Sequence, residues 1–237
     1  MKKWLLPVLC TGLLMANAQA RDISIEFGFF DSAKTRGERF KSALPDNEEL
    51  DGLVIAGKRL DLGGHWKVYY SDYDLDEVTE SGGPLVSRDV VSGYLIMTRA
   101  LPDTRPEFMY LSLPLNKWSR NEYMTRIPDY CATNRASLFQ STEHTQPNKI
   151  SCATILQAPA LLAASKDQQP ELRPIQRYVR ERRFFPSDAQ LLELQQVESR
   201  YANPVIIYRA RLAEEGALDQ LSQSALKLRE SIWQNFY

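Results

Sequence analysis

The chain has 237 residues, of which 43% are hydrophobic and 25% are charged, and its formal net charge is −1. These values are ordinary for a globular protein. The near-neutral charge argues against a general nucleic-acid-binding protein, which normally carries a basic stripe along a whole face. The length accommodates one large domain or two small ones, and beyond the N-terminus no apolar segment is long enough to span a membrane.

The N-terminus has the three parts of a secretory signal peptide. Two lysines open it, residues 4–15 form an apolar run, and residues 18–20 (Ala-Gln-Ala) match a small-x-small cleavage site. The alternative is an uncleaved membrane anchor, but the apolar run is shorter than the roughly 20 residues that a transmembrane helix needs. We therefore expect cleavage after Ala20, a periplasmic location and a mature chain without a transmembrane segment.

Cleavage at that position would remove Cys10 and leave Cys131 and Cys152. Two cysteines in an exported chain predict one disulfide bond. It would close a loop of about 22 residues, and loop-closure entropy gives on the order of 3 kcal/mol of stabilisation for that length. The alternatives are two free thiols, or a zinc site that also uses His65 and His144. No cysteine has CxxC spacing and the chain contains only 2 histidines, so we expect no metal and no cofactor.

The first half of the mature chain carries strand patterns. Residues 21–30 alternate apolar and polar side chains, which predicts a strand with one buried face. A second strand is predicted over residues 65–74, with Trp66, Val68 and Tyr70 on one face. The polar stretch between these two strands is interpreted as a loop that contains one short helical face.

Further strands are predicted in the middle of the chain and near its end. Residues 92–100 and 108–115 flank a proline-containing connection, which predicts an antiparallel hairpin at the centre of the sheet. Residues 150–156 and 203–212 predict two more strands. The polar stretch before residue 150 is interpreted as a loop.

Two helices are predicted in the second half. Residues 187–190 match a capping box, which predicts a helix through about Arg200. Its buried face would consist of Leu191, Leu194, Val197 and Tyr201. A final helix is predicted over residues 217–236. Its apolar positions recur at spacings of three and four: Leu218, Leu221, Ala225, Leu228, Ile232 and Phe236.

Together these patterns predict an α+β fold, in which an antiparallel or mixed sheet is covered by a long C-terminal amphipathic helix. We interpret residues 21–237 as a single domain, strand-rich over residues 21–157 and helix-rich over residues 158–237.

An acidic cluster resembles the start of a calcium-binding loop, but the pattern is broken. Asp72, Asp74 and Asp76 alternate as the ligands of such a loop do. The loop also needs a glycine at its sixth position and a glutamate at its twelfth, where this chain has Glu77 and Gly83. We therefore interpret the three aspartates as the solvated end of a strand.

No catalytic motif is present in the sequence. His144 lies beside Glu143, but there is no GxSxG elbow, no HExxH pair and no glycine-rich phosphate loop. We interpret His144 as an exposed loop residue and His65 as a half-buried residue at a sheet edge.

The most basic stretch, residues 173–185, is the candidate contact surface because arginine and aromatic residues are enriched at binding hot spots. The alternative is a solvated helix whose arginines pair with acidic residues of the same fold, such as Asp72 and Asp74. The candidate binding residues are Arg173, Arg177, Tyr178, Arg180, Arg182 and Arg183.

These observations favour a non-enzymatic envelope accessory protein that binds another envelope protein or an anionic envelope component. The first alternative is a carrier of a small hydrophobic ligand or lipid, with a pocket between the sheet and the C-terminal helix. The second alternative is a hydrolase with an unrecognised site.

Overall fold

The computed structural model describes residues 21–79, 87–100, 106–115, 137–146, 149–159, 184–186, 188–200 and 203–237. The predicted signal peptide, Cys131 and the arginines between 173 and 183 lie outside these ranges. What the sequence predicts for them therefore stays a prediction.

A single large sheet dominates the described residues. Its strands are β1 Asp22–Ile25, β2 Glu49–Ile55, β3 Lys58–Thr79, β4 Ser87–Ala100, β5 Pro106–Pro114, β6 Phe139–Gln146, β7 Lys149–Pro159, β8 Gln190–Arg200 and β9 Asn203–Leu212. The helices are α1 Ala33–Ala43 and α2 Ala217–Ser231, and α2 continues in a π-helical turn, Ile232–Phe236.

The order of the nine described strands is β1-β2-β3-β4-β5-β9-β8-β7-β6. β1 and β2 run parallel, and each of the other neighbouring pairs is antiparallel. The sheet is therefore mixed, and the predicted hairpin, β4–β5, lies at its centre. This arrangement confirms a sheet-dominated fold with a C-terminal helix.

α1 covers the first part of one sheet face, which we call the inner face. Its N-terminus is capped by Ser32, whose side chain accepts a hydrogen bond from the backbone N–H of Thr35 at 3.1 Å. Phe40 is fully buried beneath the helix, against Gly93 of β4. A Cβ at Gly93 would lie 2.7 Å from the Phe40 ring, so only glycine permits this close approach. The predicted short helical face is confirmed.

α2 covers the remainder of the inner face, across β3, β7 and β8. Leu221, Ala225 and Leu228 are buried against the sheet, and so are Ile232 and Phe236 in the π-helical turn. The apolar spacing of the sequence thus identified the packed side of this helix.

The helix predicted from the capping box is wrong, because residues 190–200 form strand β8. Every residue from Leu191 to Ser199 is buried, since both faces of this strand are covered. A strand that is buried on both faces loses the apolar–polar alternation that identifies a strand. The leucines and Val197 fell at helical spacing by coincidence. The strand predicted over residues 203–212 is confirmed as β9.

His144 lies in strand β6 and not in a polar loop as predicted. Its ring packs edge-on against the indole of Trp233, with the ring centroids 5.5 Å apart. The polar sequence of β6 is accounted for by its position as the last strand of the sheet, next to β7 alone among the described strands.

Candidate binding surface at the free edge of β3

The second half of β3 forms an edge of the sheet. β2 pairs with β3 only between Lys58 and Lys67. Val68 still exchanges backbone hydrogen bonds with Asn47 and Glu48. Among the described strands, residues 70–79 of β3 pair only with β4. The backbone edge on the other side of these residues therefore has no neighbouring strand within the described part of the chain.

A groove of about 520 Å³ runs between this edge and α1. The Lys41 ammonium lies 3.1 Å from Oδ1 of Asp72, and this contact joins the two walls. The hydrogen bond to Asp72 raises the pKa of Lys41. Burial opposes ionisation of Asp72, but hydrogen bonds from Tyr70 and Lys41 outweigh it and lower the pKa of that carboxyl. The groove residues are Glu38, Lys41, Ser42, Asp72, Tyr73, Asp74 and Leu75.

A β-bulge decides which side of the sheet Tyr70 occupies. The register between β3 and β4 shifts between Val68 and Tyr70, so that Tyr69 is the extra residue. Val68 faces the inner core, whereas Tyr70 lies on the opposite, outer face with 37% of its surface exposed. The predicted common face of Trp66, Val68 and Tyr70 is therefore wrong at Tyr70.

A row of tyrosines crosses the outer face from this edge towards the centre of the sheet. The ring centroids of Tyr70 and Tyr94 are 6.2 Å apart, and those of Tyr94 and Tyr110 are 6.3 Å apart. Tyr110 is the register partner of Tyr208 on β9. Tyr70 donates a hydrogen bond to Oδ2 of Asp72 at 2.8 Å, which fixes the exposed end of the row. We call these four residues the tyrosine row.

The exposed end of the row is acidic, and this affects ionisation of the tyrosines. Burial raises the pKa of Tyr94, and the carboxylates of Asp74 and Asp72 raise it further. Burial likewise raises the pKa of Tyr110. The phenols therefore stay protonated well above neutral pH, and the row offers a partner neutral aromatic rings.

The other end of the row is closed. Tyr208 is fully buried, and the Phe108 ring lies 6.2 Å from it and 5.4 Å from the Phe184 ring. Burial raises the pKa of Glu193 on neighbouring β8 to about 7, an effect that the Tyr208 hydroxyl partly offsets. The accessible part of the row is therefore its β3–β4–β5 half.

Some of the sequence-predicted candidates can be located in the structure. Of the basic stretch, Phe184 and Phe185 are described, and both pack beside β5 and β9 on the outer face. Cys152 is fully buried in β7. His65 lies on β3, where its two ring nitrogens approach Asp51 at 3.1 Å and Glu49 at 3.2 Å. The hydrogen bond that His65 donates to Asp51 is the main reason that the pKa of His65 is raised.

The three aspartates that resembled a calcium loop all lie within β3. No group of three or more metal-ligating side chains occurs within the ranges that the structure describes. Sequence reasoning missed the tyrosine row, although the predicted hairpin already placed Tyr94 and Tyr110 on neighbouring strands. Tyr70 joins them only through the bulge, which the sequence pattern does not indicate.

The contact between the sheet and α2 is rich in charge. Arg209 of β9 is 1% exposed and donates to Glu107 of β5, which is 0% exposed. Arg229 of α2 donates from Nε to Glu198 of β8 at 3.1 Å. Trp233 donates to the same carboxylate at 2.7 Å. The Arg229–Glu198 ion pair therefore crosses this interface, and Arg209 reaches α2 by donating from Nη1 to Ser224 at 2.6 Å.

Comparison with protein-family models, curated proteins and solved structures found no match to this chain. No helix among the described residues has the length and apolar character needed to cross a membrane.

Proposed function

We propose that this protein is an exported, non-enzymatic binding protein that adds an extended segment of a partner protein to the free edge of β3. The observation that carries the proposal is the position of the edge. A groove of about 520 Å³ and the exposed end of the tyrosine row lie on its two sides.

A free strand edge presents backbone N–H and C=O groups in a row, and an extended peptide pairs with such a row by adding one more strand. The backbone hydrogen bonds supply affinity, and pockets for alternate side chains supply specificity. Here one set of alternate side chains would enter the groove beside Lys41 and Leu75. The other set would lie on the outer face beside Tyr70.

The chemistry of the outer face indicates which peptide fits. Tyrosine is enriched at binding hot spots because its ring buries a large area while its hydroxyl keeps a polar contact. Asp72 is already paired with Lys41, and Asp74 lies beside it at the exposed end of the tyrosine row. A partner segment that carries aromatic side chains next to polar ones complements this surface.

The principal alternative, a carrier of a hydrophobic ligand between the sheet and the C-terminal helix, finds less support. Buried ion pairs occupy that interface at Arg209–Glu107 and at Arg229–Glu198. An apolar ligand there would have to displace or desolvate charged groups, which costs several kcal/mol. The β3 edge is therefore the stronger candidate.

Export and a Cys131–Cys152 disulfide complete the proposal. The signal-peptide pattern of residues 1–20 supports export. Complete burial of Cys152 in β7 is compatible with a structural role for a cysteine that the sequence pairs with Cys131.

A charge-reversal pair tests the proposal. Asp74→Lys alters the exposed end of the tyrosine row, and Glu230→Lys alters an exposed acid on α2, away from the β3 edge. Affinity purification of each variant from the native host should show loss of a co-purifying protein for Asp74→Lys and its retention for Glu230→Lys. Equal recovery with both variants would contradict the proposal, and enrichment of a glycan instead of a protein would assign the surface to a different ligand class.

A further inference from the structure

We infer that a second site, a polar cleft between β3 and α2, binds a small anion through a carboxylate or phosphate group. This inference does not depend on the β3 edge. The cleft has a volume of about 410 Å³, which is within the range of small-ligand pockets. Its residues are Asp61, Gly63, Arg99, Gln220, Gln223, Ser224, Lys227, Leu228 and Ser231.

Arg99 forms one wall of the cleft and is held rigidly in place. It donates from Nε to Oε2 of Glu107 at 2.8 Å and from Nη1 to the carbonyl oxygen of Gly63 at 3.0 Å. Its guanidinium also stacks over the Trp66 ring at 4.5 Å. A guanidinium carries five N–H donors, and the Glu107 and Gly63 contacts do not use all of them. Arg99 is thus a preorganised donor for an oxyanion.

Close approach of the backbone at Gly64 makes this arrangement possible. A Cβ at Gly64 would overlap Nη1 at the end of the Arg99 side chain, and the φ angle of Gly64 is +149°. A larger residue there would be strained and would push the end of Arg99 aside. The backbone of β3 is therefore shaped around the Arg99 guanidinium.

The groups behind the cleft carry more positive than negative charge. Arg209 shares Glu107 with Arg99 and donates from Nη1 to Ser224 at 2.6 Å. Burial lowers the pKa of Arg209 against the opposing effect of Glu107, which shows how costly this charge is to bury. Among the described residues, the fully buried guanidinium of Arg209 and the half-buried one of Arg99 thus share a single carboxylate, Glu107.

Neighbouring cations add to this excess. Arg211 of β9 is 7% exposed, and its Nη1 donates to Gln220 of the cleft lining at 3.1 Å. Lys227 lies at the cleft mouth. The carboxylate of the lining, Asp61, shares Arg59 with Asp22, at 3.2 Å and 2.7 Å respectively. Arg99, Arg209, Arg211 and Lys227 still outnumber the carboxylates around the cleft, and a bound anion would compensate this charge.

The remaining lining residues define the class of ligand. Gln220, Gln223 and Ser231 offer amide and hydroxyl groups along one side of α2, which suit hydroxyl or amide substituents on the anion. The cleft therefore fits a small, polar carboxylate or phosphate compound.

Calorimetry with inorganic phosphate, succinate and glucose tests the inference on the purified full mature chain. We expect heat of binding at millimolar concentration for phosphate or succinate and none for glucose. A response to phosphate alone would identify a phosphate site, and a response to succinate alone would identify a carboxylate site.

Lys227→Met should weaken that binding about tenfold, which corresponds to about 1.4 kcal/mol. Lys34→Met removes an exposed lysine on α1 and serves as the control that leaves binding unchanged. Because Lys227 is exposed, its replacement should leave the melting temperature unaltered. Absence of binding by either anion, or an equal effect of the two lysine variants, would overturn the inference.

Discussion

Arg209 and Glu107 form a fully buried ion pair between β9 and β5, with Nε of Arg209 donating to Oε1 of Glu107 at 2.9 Å. The two residues are 102 positions apart in the sequence. Burial opposes ionisation of Glu107, yet Arg209 and Arg99 together hold the pKa of this carboxyl below its usual value. The carboxylate is therefore ionised and supports two guanidiniums.

Removal of that carboxylate should be strongly destabilising. Glu107→Gln leaves Arg99 and Arg209 without their shared counter-charge, and breaking a buried pair from one side costs about 3–5 kcal/mol. Denaturant unfolding measures the loss. Glu230→Gln, at an exposed position, should change stability by no more than about 0.5 kcal/mol. Similar free energies of unfolding for the two variants would show that the buried cluster does not hold the sheet to α2.

Gly64→Ala should destabilise the protein more than Gly57→Ala. Both glycines have positive φ angles, but a Cβ at Gly57 meets nothing within 4 Å. Gly57→Ala should therefore cost only the backbone strain of placing a Cβ at a positive φ angle, about 1 kcal/mol. Gly64→Ala should cost this backbone strain and, in addition, the free energy of displacing Arg99. Thermal unfolding of the two variants is the measurement, and an equal cost would mean that Arg99 is not held as described.

Glu193→Gln should stabilise the protein at and above neutral pH. Burial raises the pKa of Glu193 from an ordinary 4.5 to about 7. The folded state therefore binds a proton that the unfolded state has released, and the wild type loses stability as pH rises through this window. The loss amounts to on the order of 3 kcal/mol when complete.

The test is the difference in free energy of unfolding between Glu193→Gln and the wild type, measured from pH 4 to pH 8. We expect the advantage of the variant to grow with pH and to level off above about pH 7. A difference that is independent of pH would refute the assignment of a raised pKa to Glu193.

The mature chain should contain no free thiol. Non-reducing mass analysis of protein from the native host should give a chain that begins at Arg21 and carries one disulfide, Cys131–Cys152. Cys131→Ser should lower the free energy of unfolding by about 3 kcal/mol, since it opens a loop of about 22 residues. Alkylation of both cysteines without prior reduction, or recovery of the full-length precursor, would contradict this prediction.

Local patterns were sufficient where the apolar residues themselves form a helical stripe or a continuous strand-like run. The apolar spacing of residues 217–236 predicted α2, and the two apolar runs around residue 104 predicted the β4–β5 hairpin. β8 was missed because it is buried on both faces and carries Glu193 and Gln195 in its interior. Burial of these polar groups is a property of the whole sheet, which a local pattern does not contain.

The candidate sites depend on contacts that are remote in sequence. Glu107 meets Arg209 only because β5 and β9 become neighbours in the sheet. Tyr70 reaches the outer face only because Tyr69 forms a bulge. A bulge shifts the side-chain alternation by one residue, so a prediction that assumes strict period two places every later residue of the strand on the wrong face.

The central claim is that a partner peptide occupies the free edge of β3, and site-specific photo-crosslinking tests it most directly. A photo-reactive residue replaces Leu75 in the β3 groove in one variant, and Leu226 on α2 in the control. The two leucines have similar exposure, 45% and 40%. We predict a discrete, protease-sensitive adduct from position 75 in the native host and none from position 226. No adduct at position 75, or the same adduct at both positions, would contradict the account.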